Sequence, residues 1–482
     1  MKTLIQSESK HLTVDNRLAG ISQLGWIILL IGSAAFVGWN VAHETWIVLL
    51  AVATVPLALR WPVQVGLGAF ALLVPFDYIS SLGEKASGRT LTWFVSAFAA
   101  VLLLGIGLVR QHLIRPPAAV LWWSLFVSWG GASILWAIEP QAVLERLPTA
   151  LGLLALFLAA TCVRISRSEL QCVAMLAITG GLAASAFVCS QFYSGIFYKL
   201  STRASLVTSE RKVDPNVFAA MLLLPMSLAM SQFVSPGSRL RRTAMLGTFA
   251  VIGFAVFLTM SRGAILAICA MVIVFLYRLR AKARLLIPTS ILLLALMLVP
   301  TLLSRFQEAG ATGGSGRLDI WIVGLVSLKR YGLMGAGLEN FPYAFKEFVG
   351  YQPVFHGFYF QAAHNIYVQI SVELGVVGMV TMIGALVSQL RAVKRLYARI
   401  GRSLALDVLP YEAACWGLLV AGFFLGVIWL KGFWLSWILL AVATRIGDSA
   451  SGLAPSMGEI SRRSIPNIFS GLAPQRIKFR SQ

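Results

Sequence analysis

Apolar runs of about 15 to 20 residues follow one another along this chain with only short gaps between them. That pattern constrains the fold more than any other feature. A helix needs roughly 20 apolar residues to cross the hydrocarbon core of a bilayer. In lipid every backbone polar group must be satisfied internally, so repeated runs of this length fold as helices. Fourteen candidate spans can be read: 24–42, 45–59, 62–76, 91–109, 118–137, 148–163, 170–189, 216–234, 243–260, 263–278, 285–303, 365–388, 411–430 and 432–446. The second, third and last are short, so the expected fold is an all-α, polytopic membrane bundle of twelve to fourteen spans. Charge agrees: 12% of the residues are Asp, Glu, Lys or Arg, against about 25% in soluble domains. The first run begins near Leu24 without a small-residue cleavage site, so it reads as a span and not as a removable signal.

The formal net charge of +21 invites a nucleic-acid reading. The basic residues argue against it, because they are distributed between loops and do not form one face. Cytoplasmic loops keep Lys and Arg. With the amino terminus inside, about two thirds of the 40 basic residues fall on the inner side. RLRR at 239–242, the run from Arg278 to Arg284 and the run from Arg391 to Arg402 all land there. One missed helix would scramble the pattern. The division is then a cytoplasmic segment 1–23, a first bundle 24–303, a large periplasmic loop 304–364, closing helices 365–446 and a basic cytoplasmic tail 447–482. Long loops are uncommon and often functional. This one opens with GATGGSG at 310–316, a hinge candidate, and shows helical spacing from Leu318 to Leu328. The expectation is a short helix over the membrane mouth.

Three features on the outer side carry chemistry. TMSRGA at 259–264 sets Arg262 in a turn between two spans. GRLDIW at 316–321 sets Arg317 at the start of the loop helix. AHNIYVQISVELG at 363–375 sets His364 and Asn365 where the loop re-enters the membrane. The plain alternatives are a headgroup anchor for Arg262 and a surface ion pair for Arg317. The positive charges and the imidazole nevertheless share one depth. Arginine forks hold phosphate oxygens in pairs, and an imidazole titrating near neutrality can take a proton from a hydroxyl. Together they suit a lipid-linked phosphate and an acceptor. His356 lies in a Gly- and aromatic-rich stretch with no rigid element to fix it. No His pair or Cys pair has metal-ligand spacing, so no metal and no cofactor is expected. Cys162, Cys172, Cys189, Cys269 and Cys415 lie in or beside apolar runs and read as packing residues.

SRGA at 261–264, RLDIW at 317–321, GAGLENF at 335–341 and HNIYVQISVELGVVG at 364–378 resemble the signature of the O-antigen ligase and O-antigen polymerase superfamily, and DPN at 214–216 fits the same pattern. The resemblance covers roughly residues 190–390 by motif. It implies a GT-C-type glycosyltransferase of the bacterial inner membrane, acting on the periplasmic face. Its donor would be a glycan on undecaprenyl diphosphate. Its acceptor would be lipid A–core, another lipid-linked glycan or a protein hydroxyl, with neither metal nor nucleotide sugar needed. By the same resemblance Arg262 and Arg317 bind the diphosphate and His364 acts on the acceptor hydroxyl. Arg203 and Arg211 are both candidates for a further arginine before DPN, and spacing does not choose between them.

The principal rival is a transporter or flippase of such glycans. Transporters show internal repeats, broken helices and ionisable groups at mid-membrane. No repeat is evident here. Glu373 is the one ionisable residue expected deep in a span, about 13 Å below His364 at the helical rise. A structural subunit would leave the outward arginines and histidine without a purpose.

Overall fold

A computed structural model describes residues 56–79, 90–110, 113–196, 203–208, 212–279, 316–351, 360–399 and 402–450. Within these the chain is helical, with no strand beyond isolated bridges. A broken first helix, α1, runs through Gln64–Gly68, Ala69–Leu73 and Val74–Ile79. It is followed by α2 (Leu91–Val109), α3 (Ala118–Ala132), α4 (Pro140–Cys162) and α5 (Arg167–Tyr193). Next come α6 (Pro215–Met221) and α7 (Leu223–Val234), two halves of one span, then α8 (Arg239–Leu258) and α9 (Arg262–Leu279). After these lie α10 (Arg317–Tyr331), α11 (Phe341–Phe348), α12 (Ile366–Tyr397), α13 (Arg402–Ala421) and α14 (Lys431–Ala450). Eight of the described helices are long and apolar enough to cross a bilayer. The expected spans 24–42 and 285–303, and most of 45–59, lie outside the described residues.

The expected span 411–430 is displaced. Helix α13 starts at Arg402 and stops at Ala421, and residues 422–430 form a largely buried, non-helical connector. Its apolar composition mimics a span because Val427, Ile428 and Leu430 are buried against protein, not lipid. Backbone polarity is met locally: the Gly422 carbonyl accepts from Ile366 N–H at 2.8 Å, and Leu430 N–H donates to Val427 at 3.0 Å.

Lipid offers no hydrophobic gain for helix association, so packing and polar contacts hold the bundle. Trp123, Trp434 and Trp437 are fully buried, with Trp123 at 4.8 Å from the Trp434 ring. Polar contacts fall at two ends. One end joins Arg167 to Asp407 at 2.7 Å and Arg278 to Glu412 at 2.5 Å, with Arg445 donating to the Thr161 and Arg115 carbonyls. The other joins Lys431 to Asp77 at 2.5 Å and to Thr90 at 2.7 Å, and Arg146 to Glu339 at 2.6 Å.

Helix α12 is broken at Gly375, whose φ of 63° and ψ of −159° are open to glycine. The break frees three carbonyls, and each finds a donor. Ala336 N–H reaches Val372 at 2.8 Å, Gly337 N–H reaches Glu373 at 2.8 Å, and the Trp129 indole reaches Leu374 at 3.0 Å. The segment after α10 is therefore threaded into the broken helix, and this fixes GAGLENF. A Cβ on Gly375 would lie 2.4 Å from the Leu333 carbonyl oxygen, and one on Gly335 would lie 2.2 Å from that of Glu373. Left-handed backbone alone costs a side chain on the order of 1–3 kcal/mol, and these overlaps are with backbone that cannot swing aside. Gly375→Ala and Gly335→Ala are expected to lower the midpoint of thermal unfolding by many degrees and to reduce membrane yield. Gly247→Ala, in α8 with nothing within 4 Å of its Cβ, should be neutral or stabilising by about 0.5–1 kcal/mol. Equal behaviour of the three variants in a detergent thermal-unfolding series would contradict this account.

Candidate functional site

The end of the bundle that carries Arg262, Arg317 and His364 contains several helix starts. Asp214 caps α6, accepting from Asn216 N–H at 2.7 Å and Val217 N–H at 3.2 Å, and Pro215 follows where its missing N–H costs nothing. Asn216 in turn accepts from the Arg203 guanidinium at 2.8 Å, while Arg203 Nε donates to the Thr259 carbonyl at 2.9 Å. Arg203 thus straps the DPN turn to the end of α8. Arg211 lies outside the described residues, as does His356.

Three residues further on, Arg262 opens α9. The turn before it is tight, with Met260 at φ 50°, and the Ser261 hydroxyl accepts from Ala264 N–H at 3.3 Å. Gly263 leaves room for Phe424 of the 422–430 connector, 3.1 Å from where a Cβ would sit.

Arg317 opens α10, after Gly316 in the left-handed region at φ 76°. The expected loop helix is present, and it packs through Ile320 and Val323 onto α11 and α12. Asp319 lies in its first turn, where a negative charge suits the helix dipole. Among the described residues no carbonyl or side chain takes a hydrogen bond from Arg317, and no carboxylate pairs with it. The surface ion pair is thus not formed there. Burial lowers the Arg317 pKa from its ordinary value, the like charge of Arg262 lowers it further, and Asp214 opposes both. The arginine stays a cation, in surroundings that favour a counter-anion.

His364 stands two residues before α12 and is half-buried. Its backbone is left-handed at φ 47°, a region that non-glycine residues seldom occupy. Both neighbours are fixed. The Trp321 indole donates to the Ala363 carbonyl at 3.0 Å, and Asn365 caps α12 by accepting from Tyr367 and Val368 N–H at 2.9 and 3.1 Å. Burial lowers the imidazole pKa below 6.5, Arg317 lowers it again, and Asp214 raises it. Arg317 is therefore within electrostatic reach of Arg262, Asp214 and His364, and His364 is within reach of Asp214 as well. Arg203 joins the start of α6 to the turn before α9, and α10 packs on α12.

Glu373 is fully buried one turn beyond Gln369, which donates to it at 3.1 Å. Its other oxygen has no hydrogen-bond partner among the described residues. Nearby, Glu339 has φ 60° and receives two bonds from Arg146, at 2.9 and 2.6 Å. Asn340 bridges GAGLENF to the start of α4, accepting from Glu139 N–H at 2.7 Å and donating to its carbonyl at 3.1 Å. Sequence reasoning missed Arg146, which is 193 residues from Glu339, and the Asp77–Lys431 pair, 354 apart. A basic residue next to an outer helix start was the only local signal for either. Among the described residues no three His, Cys, Asp or Glu side chains are gathered closely enough for a metal ion.

These features define a polytopic helical membrane protein, with Arg262, Arg317 and His364 as the candidate site residues near helix starts. Residues 247–383 match the family model described as O-antigen ligase. That segment contains Arg262, Arg317 and His364, and the match supports the O-antigen ligase and polymerase superfamily that the motifs resemble. No curated protein matches the chain.

Proposed function

We propose that this protein transfers a glycan from an undecaprenyl diphosphate carrier to a hydroxyl acceptor at the periplasmic face of a bacterial inner membrane. The observation that carries the reading is that Arg317, at the start of α10, lies within electrostatic reach of both Arg262 and His364 and has no hydrogen-bond partner among the described residues. Arg262 and Arg317 hold the diphosphate. His364 takes the proton of the acceptor hydroxyl as its oxygen attacks the anomeric carbon. The bond from that carbon to the diphosphate breaks, and the electron pair stays on a phosphate oxygen facing the arginines. Fixed cations aimed at developing charge in a poorly hydrated site give strong stabilisation. Attack opposite the leaving group inverts the anomeric centre. Arg203 keeps the wall of the site in place, with Arg211 as the other candidate for a further phosphate contact. Asn365 holds the end of α12, and Glu373 supports the site from beneath.

The transporter or flippase reading has one observation in its favour: α12 is broken beside a buried carboxylate. The carbonyls freed by the break are occupied by Ala336, Gly337 and Trp129, so they are not left for an ion. That weighs against it.

Purified protein in neutral detergent should transfer glycan from the lipid-linked donor to a hydroxyl acceptor in excess chelator, since arginines take the place of a divalent ion. Complete loss of transfer restored by magnesium or manganese would refute the metal-free mechanism. Lipid-dependent movement of glycan across vesicles with no new glycosidic bond would favour the transporter. A deletion strain separates ligase from polymerase. Retained carrier-linked polymer without polymer on lipid A indicates ligase, and retained single repeats without long chains indicates polymerase.

A further inference from the structure

A cavity of about 420 Å³ opens at the opposite end of the bundle from His364, among α5, α7, α8, α13 and α14. Leu228, Leu406 and Ile446 line its wall, and Arg167, Arg241 and Asp407 are its charged residues. Part of this wall follows from Pro410. A proline inside α13 cannot donate to the Leu406 carbonyl one turn back, and the Ser231 hydroxyl of α7 takes that carbonyl at 3.2 Å. Ser227 bonds the Pro410 carbonyl at 2.6 Å. The α7–α13 seam is thus held by hydroxyls on its α7 side and stays apolar elsewhere.

The charges at the cavity do not balance. Asp407 is used by Arg167 at 2.7 Å. Arg241 is exposed, and its partner is the amide oxygen of Gln232, a neutral group. Among the described residues, Arg241 is therefore without a carboxylate partner at the edge of an apolar chamber. Arg239, exposed one place from the cap of the same helix, adds to the positive field. The long helices α5 and α8 both start at this end, with their positive dipole ends toward the opening. The level matters as well, since Arg167 and Arg241 sit at helix ends, where lipid headgroups lie.

We infer that this cavity binds an anionic glycerophospholipid of the leaflet opposite the catalytic site, its phosphate diester on Arg241 and its glycerol and upper acyl carbons against Leu228, Leu406 and Ile446. Basic pockets between membrane helices at the cytoplasmic side suit such headgroups, and the volume falls in the range of small-molecule sites. A free phosphate would satisfy Arg241 and leave the apolar wall unused. A zwitterionic lipid would carry its own cation toward two arginines. The inference does not depend on the reaction at the other end.

The test is thermal unfolding of the full chain in neutral detergent, titrated with phosphatidylglycerol, phosphatidylcholine or inorganic phosphate. Phosphatidylglycerol should raise the unfolding temperature saturably, and the other two should not. Arg241→Gln should weaken the apparent affinity for phosphatidylglycerol tenfold or more with the lipid-free unfolding temperature unchanged. Arg164→Gln, an exposed arginine at the same end but not lining the cavity, should respond as wild type. An equal response to phosphatidylcholine would overturn the assignment, as would a wild-type response in Arg241→Gln or an equal loss in Arg164→Gln. A response to inorganic phosphate matching that to lipid would show an anion site and not a lipid site.

Discussion

His364→Ala is expected to lower the rate of glycan transfer by on the order of 10²- to 10⁴-fold, the usual contribution of a general base. The protein should still fold, because the imidazole makes no hydrogen bond among the described residues while Trp321 and Asn365 secure the backbone on either side. Alanine removes nothing from that frame. The pH profile separates a base from a filler. Burial and Arg317 hold the imidazole below its ordinary value of 6.5, so the neutral, proton-accepting form dominates at pH 7. Transfer should be flat near neutrality and fall as pH drops through the lowered pKa. His364→Ala should lose that acid limb along with the rate. Asp214→Asn keeps an oxygen for the α6 cap but removes the one charge that raises the imidazole pKa. Its acid limb should therefore move to lower pH. A His364→Ala enzyme with most of the wild-type rate across the profile would mean that the histidine is structural.

Arg317→Ala should cost about 10²- to 10³-fold or more, on the scale of removing one preorganised donor to developing charge. Arg317→Lys should recover only part of this, because lysine offers a point charge without the fork. Arg317 is the cleaner probe of the two arginines. Its guanidinium is uncommitted among the described residues, so truncation leaves no buried partner stranded, and the unfolding midpoint should hardly change. A second readout distinguishes phosphate binding from structure. Arg317 also depresses the His364 pKa, so the residual activity of Arg317→Ala should show its acid limb at higher pH than wild type. Near-normal transfer by Arg317→Ala would reduce this arginine to a surface anchor. Arg262→Ala is expected to abolish transfer likewise. There the loss reports on the α8–α9 turn as well, since Arg262 follows a left-handed Met260 and precedes the contact of Gly263 with Phe424.

The period and length of the apolar runs determined the all-α bundle, because in lipid a backbone has few other ways to satisfy its hydrogen bonds. The positions of Lys and Arg grouped the loops into two sets. The frame around the candidate site residues is also built from local contacts. Asp214 before Pro215, Ser261 before Arg262 and Asn365 before Ile366 are capping signals that need no tertiary partner. Composition failed at 422–430, where an apolar segment buried in protein reads the same as one buried in lipid. Tertiary structure alone decided the rest. Nothing in the local sequence says that the segment after α10 is threaded against the break at Gly375, or that Arg146 meets Glu339. Nor does it show that Lys431 closes on Asp77. Those contacts join residues remote in sequence, and their geometry depends on how every intervening helix is packed. The same holds for the candidate site: the sequence named Arg262, Arg317 and His364 separately, and only the packing of the helices brings Arg317 within electrostatic reach of the other two.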